Sequence, residues 1–251
     1  MINREIIDNP LLGNTANSPR KNASVQDIKN MTSDSPMVSN STIDDHNHHF
    51  SPATIYKAAC IDFYLKKYKC ELITSEFRYG ISQLVTDLLI LTQRNTISIE
   101  IKSGNDDLRR VENQIHESIK NFNLTIVFAD SKHKDALLAV LPIEAGLTIY
   151  HNGNYEVVRP PKRNNVIPQE LVSSIPASFL KAFFMIKQNM DSDKLRKYVL
   201  EKHCKRIMVC FRAFLNHKFS VNYYQFLRDR GLHTHIEDIP TLTMKDYIEI
   251  K

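Results

Sequence analysis

Two consecutive apolar runs constrain this chain most. LVTDLLILT (84–92) and TISIEIK (96–102) are separated only by Gln93, Arg94 and Asn95. Both are rich in β-branched residues, and so short a connection leaves room for little but a hairpin. Three charged residues interrupt them: Asp87, Glu100 and Lys102, in the pattern D-x12-E-x-K. Side chains alternate along a strand, so Glu100 and Lys102 share one face, with Ile101 beneath. The hairpin brings Asp87 to that same face. Charged groups among strand residues are costly to desolvate unless something compensates. A divalent metal ion is the compensation this pattern suggests, because Asp and Glu oxygens suit Mg2+ or Mn2+. Such an ion lowers the pKa of a bound water and neutralises charge on a phosphorus centre. Lys102 would orient that water or stabilise the charge. The expectation is phosphodiester hydrolysis.

The flanking sequence supplies the rest of a layered domain. Ser51 and Pro52 start a helix, as N-cap and first helical residue. Ile55, Ala59 and Phe63 mark its buried face, and Lys66 and Lys67 its last turn. CELITSEF (70–77) reads as a strand. Asn105, Asp106 and Asp107 offer caps and acidic first-turn residues for a helix to about Asn121. Its buried face carries Leu108, Val111, Ile115, Ile119 and Phe122. LTIVFA (124–129) is near-continuously apolar, as a central strand would be. A helix near 131–139 and strands near 147–150 and 154–158 follow. The order is α-β-β-β-α-β-α-β-β, an α/β domain over residues 49–158.

The tripeptide E-x-K is weak by itself, since IEIK recurs at 248–251 with no hairpin before it. Its first copy opens the stretch EIKSGNDDLRRVENQ (100–114), which places Asp106, Leu108, Arg110 and Gln114 in the pattern D-x-L-x-R-x-x-x-Q. With that stretch the segment 52–130 resembles the PD-(D/E)XK nuclease superfamily, closest to small bacterial and phage members. The resemblance implies a restriction-endonuclease-like α-β-β-β-α-β core with a mixed sheet, and a Mg2+- or Mn2+-dependent deoxyribonuclease. It implies Asp87 and Glu100 as metal ligands, with Glu76 as a third. Lys102 and Gln114 would complete the catalytic set. Apart from the resemblance, Arg109 and Arg110 in the first turns of the following helix are candidate phosphate contacts or, equally, solvated charges. Thr86 stands where the superfamily name has proline. Ser118 stands where some branches carry the tyrosine of Q-x-x-x-Y. The other reading of these residues is a non-catalytic module that binds DNA or protein.

Charge divides the chain. Residues 159–251 carry seventeen Lys/Arg against nine Asp/Glu, a formal +8, while residues 51–158 carry twelve against thirteen. A basic segment beside a near-neutral core suits a polyanion partner, here DNA. Residues 159–165 read as a linker, and helices are expected at about 168–175, 177–189, 192–216 and 220–230. Lys197, Lys205 and Arg212 are the candidate phosphate contacts of this basic helical domain (159–251). Tyr223, Tyr224 and Phe226 either stack on bases or fill a core.

Residues 1–48, rich in Asn, Ser, Asp and Thr, read as a mostly disordered tail; His46, His48 and His49 at its end could bind metal, but such a cluster beside a flexible tail more often does nothing specific. Cys60, Cys70, Cys204 and Cys210 form no C-x-x-C pair and read as reduced thiols of a cytoplasmic protein. No apolar run reaches the roughly 18 residues that span a bilayer. A homodimer or a protein partner is compatible with this reading. No P-loop pattern is present.

Overall fold

In the computed structural model, residues 51–243 are described; the expected tail, its histidines and the second IEIK copy lie outside them. Helix α1 (Pro52–Lys67) has Pro at its first turn and Lys66 and Lys67 in its last. It ends at Tyr68, whose N–H still bonds the Tyr64 carbonyl at 2.9 Å. Its buried stripe is Cys60, Ile61 and Tyr64, whereas Ile55 is 48% exposed. Both stripes satisfy a four-residue spacing. The observed rotation takes the Tyr64 hydroxyl to Thr148 Oγ1 at 3.1 Å.

Six strands form one open sheet in chain order: β1 (Cys70–Tyr79), β2 (Leu84–Thr92), β3 (Thr96–Lys102), β4 (Leu124–Asp130), β5 (Gly146–His151) and β6 (Asn154–Arg159). The pairs β1–β2, β2–β3 and β5–β6 are antiparallel; β3–β4 and β4–β5 are parallel. The parallel steps are bridged by α2 (Val111–Asn121) and α3 (Lys134–Val140), as parallel pairing requires. β4 is buried along its middle five residues, which explains its unbroken apolar run.

Helix α2 starts later than its sequence suggests. The Asp106 carboxylate accepts from Ser103 N at 2.6 Å and Ser103 Oγ at 2.7 Å, and Asp107 accepts from Arg109 N at 2.8 Å. These aspartates close turns between β3 and α2 instead of capping the helix.

The C-terminal helices are α4 (Pro168–Ser173), α5 (Ala177–Phe183), α6 (Ser192–His203) and α7 (Ile207–Asp229). The break expected near 217–219 lies instead at the 3-10 turn Cys204–Arg206, and α7 runs unbroken for 23 residues. Phe214, Leu215 and Phe219 are buried across that stretch, so packing holds the helix together there. These helices complete the sheet's core. Phe77 lies edge-on to Phe211 and Phe219 with centroids 6.0 Å apart, and Tyr79 meets Phe122 at 4.8 Å. One large apolar cluster therefore spans α1, β1–β3 and α4–α7, and a smaller one joins α2 and α3 to β4 and β5. The segment expected as a linker is a bonded strap. Lys162 N donates to Glu144 O, Asn164 N to Asn123 O and Ile167 N to Lys120 O, at 2.8–2.9 Å. Among the described residues no helix is long and apolar enough to cross a membrane.

Candidate functional site

Strand register places three carboxylates in one row. Pairs Ser75↔Leu88 and Phe77↔Thr86 set Glu76 across from Asp87. The last β2–β3 pair is Leu88↔Ile99, so the next rung would join Asp87 to Glu100. That rung is not formed. Asp87 Oδ2 instead accepts the Ile101 N–H at 2.7 Å. Thr86 Oγ1 lies 3.1 Å from the Ile99 carbonyl. Side chains thus bridge two strands that have begun to part. On the other side Glu76, on the edge strand, has φ +55°, a left-handed conformation that a non-glycine residue rarely adopts.

The parting leaves a cleft of about 390 Å³, lined by Lys57, Glu76, Asp87, Glu100, Lys102 and Asp106 among others. Lys102 Nζ donates to Glu100 Oε1 at 2.8 Å and to Gln114 Oε1 at 3.2 Å. Both members of the Lys102–Glu100 pair are nearly buried. Lys57 Nζ pairs with Glu76 and donates to Ser75 Oγ at 3.2 Å. Burial pushes the Glu100 carboxyl up to about 7; the Asp87 charge adds to this, while Lys102 and Gln114 oppose it. Burial also raises Asp87, against the Ile101 N–H and the two lysines, with Glu76 adding to the rise.

A metal ion is required where such carboxylates lack other compensation. Here each has a partner inside the chain: Lys57 for Glu76, Ile101 N–H for Asp87, Lys102 for Glu100. Asp87 and Glu100 are the right donor type for Mg2+ or Mn2+. Among the described residues, however, no group of three or more His, Cys, Asp or Glu is placed to hold a metal ion. Lys57 is the participant that sequence reasoning missed. Nothing near it in sequence marks it; only the packing of α1 on the sheet brings it to Glu76.

The structure divides the expected phosphate contacts. Arg109 and Arg110 are exposed, Arg109 pairing with Asp107. Lys197 and Lys205 are exposed on α6 and the turn after it. Arg212 is engaged within the protein, donating to Glu71 Oε2 at 2.9 Å and to the Thr92 carbonyl at 2.6 Å. Tyr223 and Phe226 are buried, whereas Tyr224 is 65% exposed.

The protein family described as Bacteriophage P4 protein cII matches residues 49–243, more than three-quarters of the chain. The chain belongs to this family. A solved protein of unknown function from Silicibacter pomeroyi is similar at 19% identity and a TM-score of 0.41, over 73% of this chain and 97% of its own. A search among curated proteins returns no match.

Membership in the cII family corrects the reading from sequence. The assignment to the PD-(D/E)XK superfamily is withdrawn, and with it the restriction-endonuclease-like fold name. The hydrolase activity, a metal-dependent deoxyribonuclease, is withdrawn together with that assignment; among the described residues the carboxylates form no group of three placed to hold a metal ion. The physical reason is that D-x12-E-x-K on a hairpin is a local pattern. In this cII-family chain it is satisfied by a buried Glu100–Lys102 ion pair and an Asp87 carboxylate that ties two parting strands.

Proposed function

We propose that this cII-family protein is a non-catalytic DNA-binding module of the regulator type, which acts by occupying DNA and not by altering it. The observation that carries this reading is the basic surface of α6 and the turn after it. Lys197, Lys202, Lys205 and Arg206 are all exposed there, with Glu201 the one acid between them. Such a surface neutralises phosphates and releases counterions, giving affinity that falls with salt. The partnered carboxylates fit the same reading, because binding by occupancy requires no reacting group.

Fluorescence anisotropy with a labelled DNA duplex over a range of salt concentrations tests it. Binding should weaken linearly on a log–log plot. Lys197→Gln with Lys205→Gln should reduce the slope by about 0.9 for each phosphate contact removed. No binding at low salt, or an unchanged slope in the double variant, would sink the proposal. Thermal melts with added Mg2+ or Mn2+ address the expected cofactor. An ion entering between Asp87 and Glu100 raises the melting temperature, and Asp87→Asn removes that rise.

A further inference from the structure

A second cleft, of about 580 Å³, opens beside Glu76, between β1, the turn that ends α4, and helices α6 and α7. Its volume lies in the range typical of small-ligand sites. Three cationic side chains line it, Arg78, Arg196 and Lys218, against the single carboxylate of Glu76. Glu76 is already paired with Lys57, so its charge is largely answered from the first cleft. The two guanidinium groups are anchored by backbone carbonyls. Arg78 Nη1 donates to Gln83 O at 3.0 Å, and Arg196 Nη2 donates to Ile175 O at 3.3 Å. Carbonyls orient a guanidinium without neutralising it, and each group carries five N–H donors, more than these bonds use. The wall between the cations is mixed: Ser173 and Ser174 line it together with Phe214 and Phe219, which are 4% and 5% exposed and lie under Lys218 Nζ, 5.7 and 5.0 Å from their ring centroids.

Positive charge from three elements beside serine hydroxyls matches an anionic oxygen ligand, a phosphate ester. Guanidinium forks recognise phosphate oxygens bidentately, and a cleft of this volume has room for the sugar of a nucleotide beside the phosphate. We propose that this cleft is a phosphate-ester site, taking a nucleotide unit either from bound DNA or as a free mononucleotide. The DNA form of the proposal rests on the function proposed above; the mononucleotide form does not. Arg196 shares α6 with Lys197, but Arg78 on β1 and Lys218 on α7 lie on other elements, so substitutions at those two separate the sites.

The test uses the full chain and three probes: inorganic phosphate, thymidine 5′-monophosphate and a labelled DNA duplex. Calorimetry should show the monophosphate binding more tightly than inorganic phosphate. Arg78→Gln, at an exposed position, should weaken it about tenfold, the effect of one charge-assisted hydrogen bond. Lys218→Gln should weaken it as well, and circular dichroism must show both variants folded. If the ligand is part of DNA, the monophosphate competes with the duplex and Arg78→Gln lowers duplex affinity. If the ligand is free, the monophosphate binds without displacing the duplex. Absence of binding by both phosphate and monophosphate, with duplex affinity unchanged in Arg78→Gln, overturns the proposal. That result leaves the DNA-binding reading standing wherever Lys197→Gln with Lys205→Gln still reduces affinity. Conversely, failure of the wild-type protein to bind duplex at all removes the DNA-binding reading, while monophosphate binding lost in Arg78→Gln upholds the cleft.

Discussion

The carboxylate of Asp87 accepts the backbone N–H of Ile101 at 2.7 Å, where a ladder bond between β2 and β3 would otherwise fall. A buried N–H without a partner costs about 1–3 kcal/mol, so this one contact both permits the strands to part and removes the penalty for doing so. The charge on Asp87 is not needed for that role, only an acceptor oxygen is. Asp87→Ala should therefore lose about 1–3 kcal/mol in urea unfolding, while Asp87→Asn, which keeps a carbonyl oxygen, should lose far less. Asp87→Asn also removes a negative charge that faces Glu76 and Glu100. Equal losses in the two variants would show that the charge, and not the hydrogen bond, holds the strands.

Glu100 and Lys102 make a nearly buried ion pair, and breaking such a pair leaves an uncompensated charge. Lys102→Met should cost about 3 kcal/mol at pH 8, and Lys102→Met with Glu100→Gln should recover most of it. The single variant should also regain stability near pH 5, where Glu100 takes up a proton. A Lys102→Met protein as stable as wild type at pH 8 would contradict this account.

The pH dependence has a definite sign. The folded-state carboxyl of Glu100 titrates at about 7, above its ordinary 4.5, and that of Asp87 is raised in the same direction. Between these values the folded chain holds protons that the unfolded chain has released. Their contribution to stability is thus greatest below about 4.5 and is lost as pH rises through about 7. Melting temperatures of wild type and Glu100→Gln should diverge over this window, with wild type falling relative to the variant. Parallel curves would place the Glu100 titration elsewhere.

Strands β2 and β3 were legible to the residue because each is an unbroken apolar run bounded by a short polar turn. The co-location of Asp87, Glu100 and Lys102 follows from alternation and register, both local rules. What the local pattern could not distinguish was a charged row answered by a metal from one answered by lysines. Lys57 comes from a helix 19 residues before Glu76, and its approach depends on how α1 rotates on the sheet. That rotation was itself misread, since Ile55 faces outward. Arg212 shows the same limit. Its position in a basic stretch suggested phosphate contact, but a distant carboxylate on β1 and a carbonyl ending β2 hold its guanidinium. Arg212→Ala should accordingly lower the melting temperature and leave the salt slope of DNA binding unchanged. A slope reduced by about one, with stability intact, would return it to the phosphate contacts.

The last expectation concerns residues 159–251, whose sequence suggested a detachable basic module. The packing argues otherwise. Phe211, Phe214, Phe219 and Phe226 are all buried in the cluster that also contains β1–β3. Removing one such ring from a core costs about 3–5 kcal/mol, and the whole stability of a domain is about 5–15 kcal/mol. Deleting the segment removes four rings at once, together with the bonded strap at 162–167. A protein ending at residue 158 should therefore show no cooperative urea transition and no near-ultraviolet circular dichroism typical of packed aromatics. DNA affinity measured on that truncation would report unfolding and not loss of a phosphate-binding surface, so the charge of this region is tested properly only by point substitution at Lys197 and Lys205. A truncated chain that unfolds cooperatively would show that the α/β part closes a core of its own and that the C-terminal helices are an appended module after all.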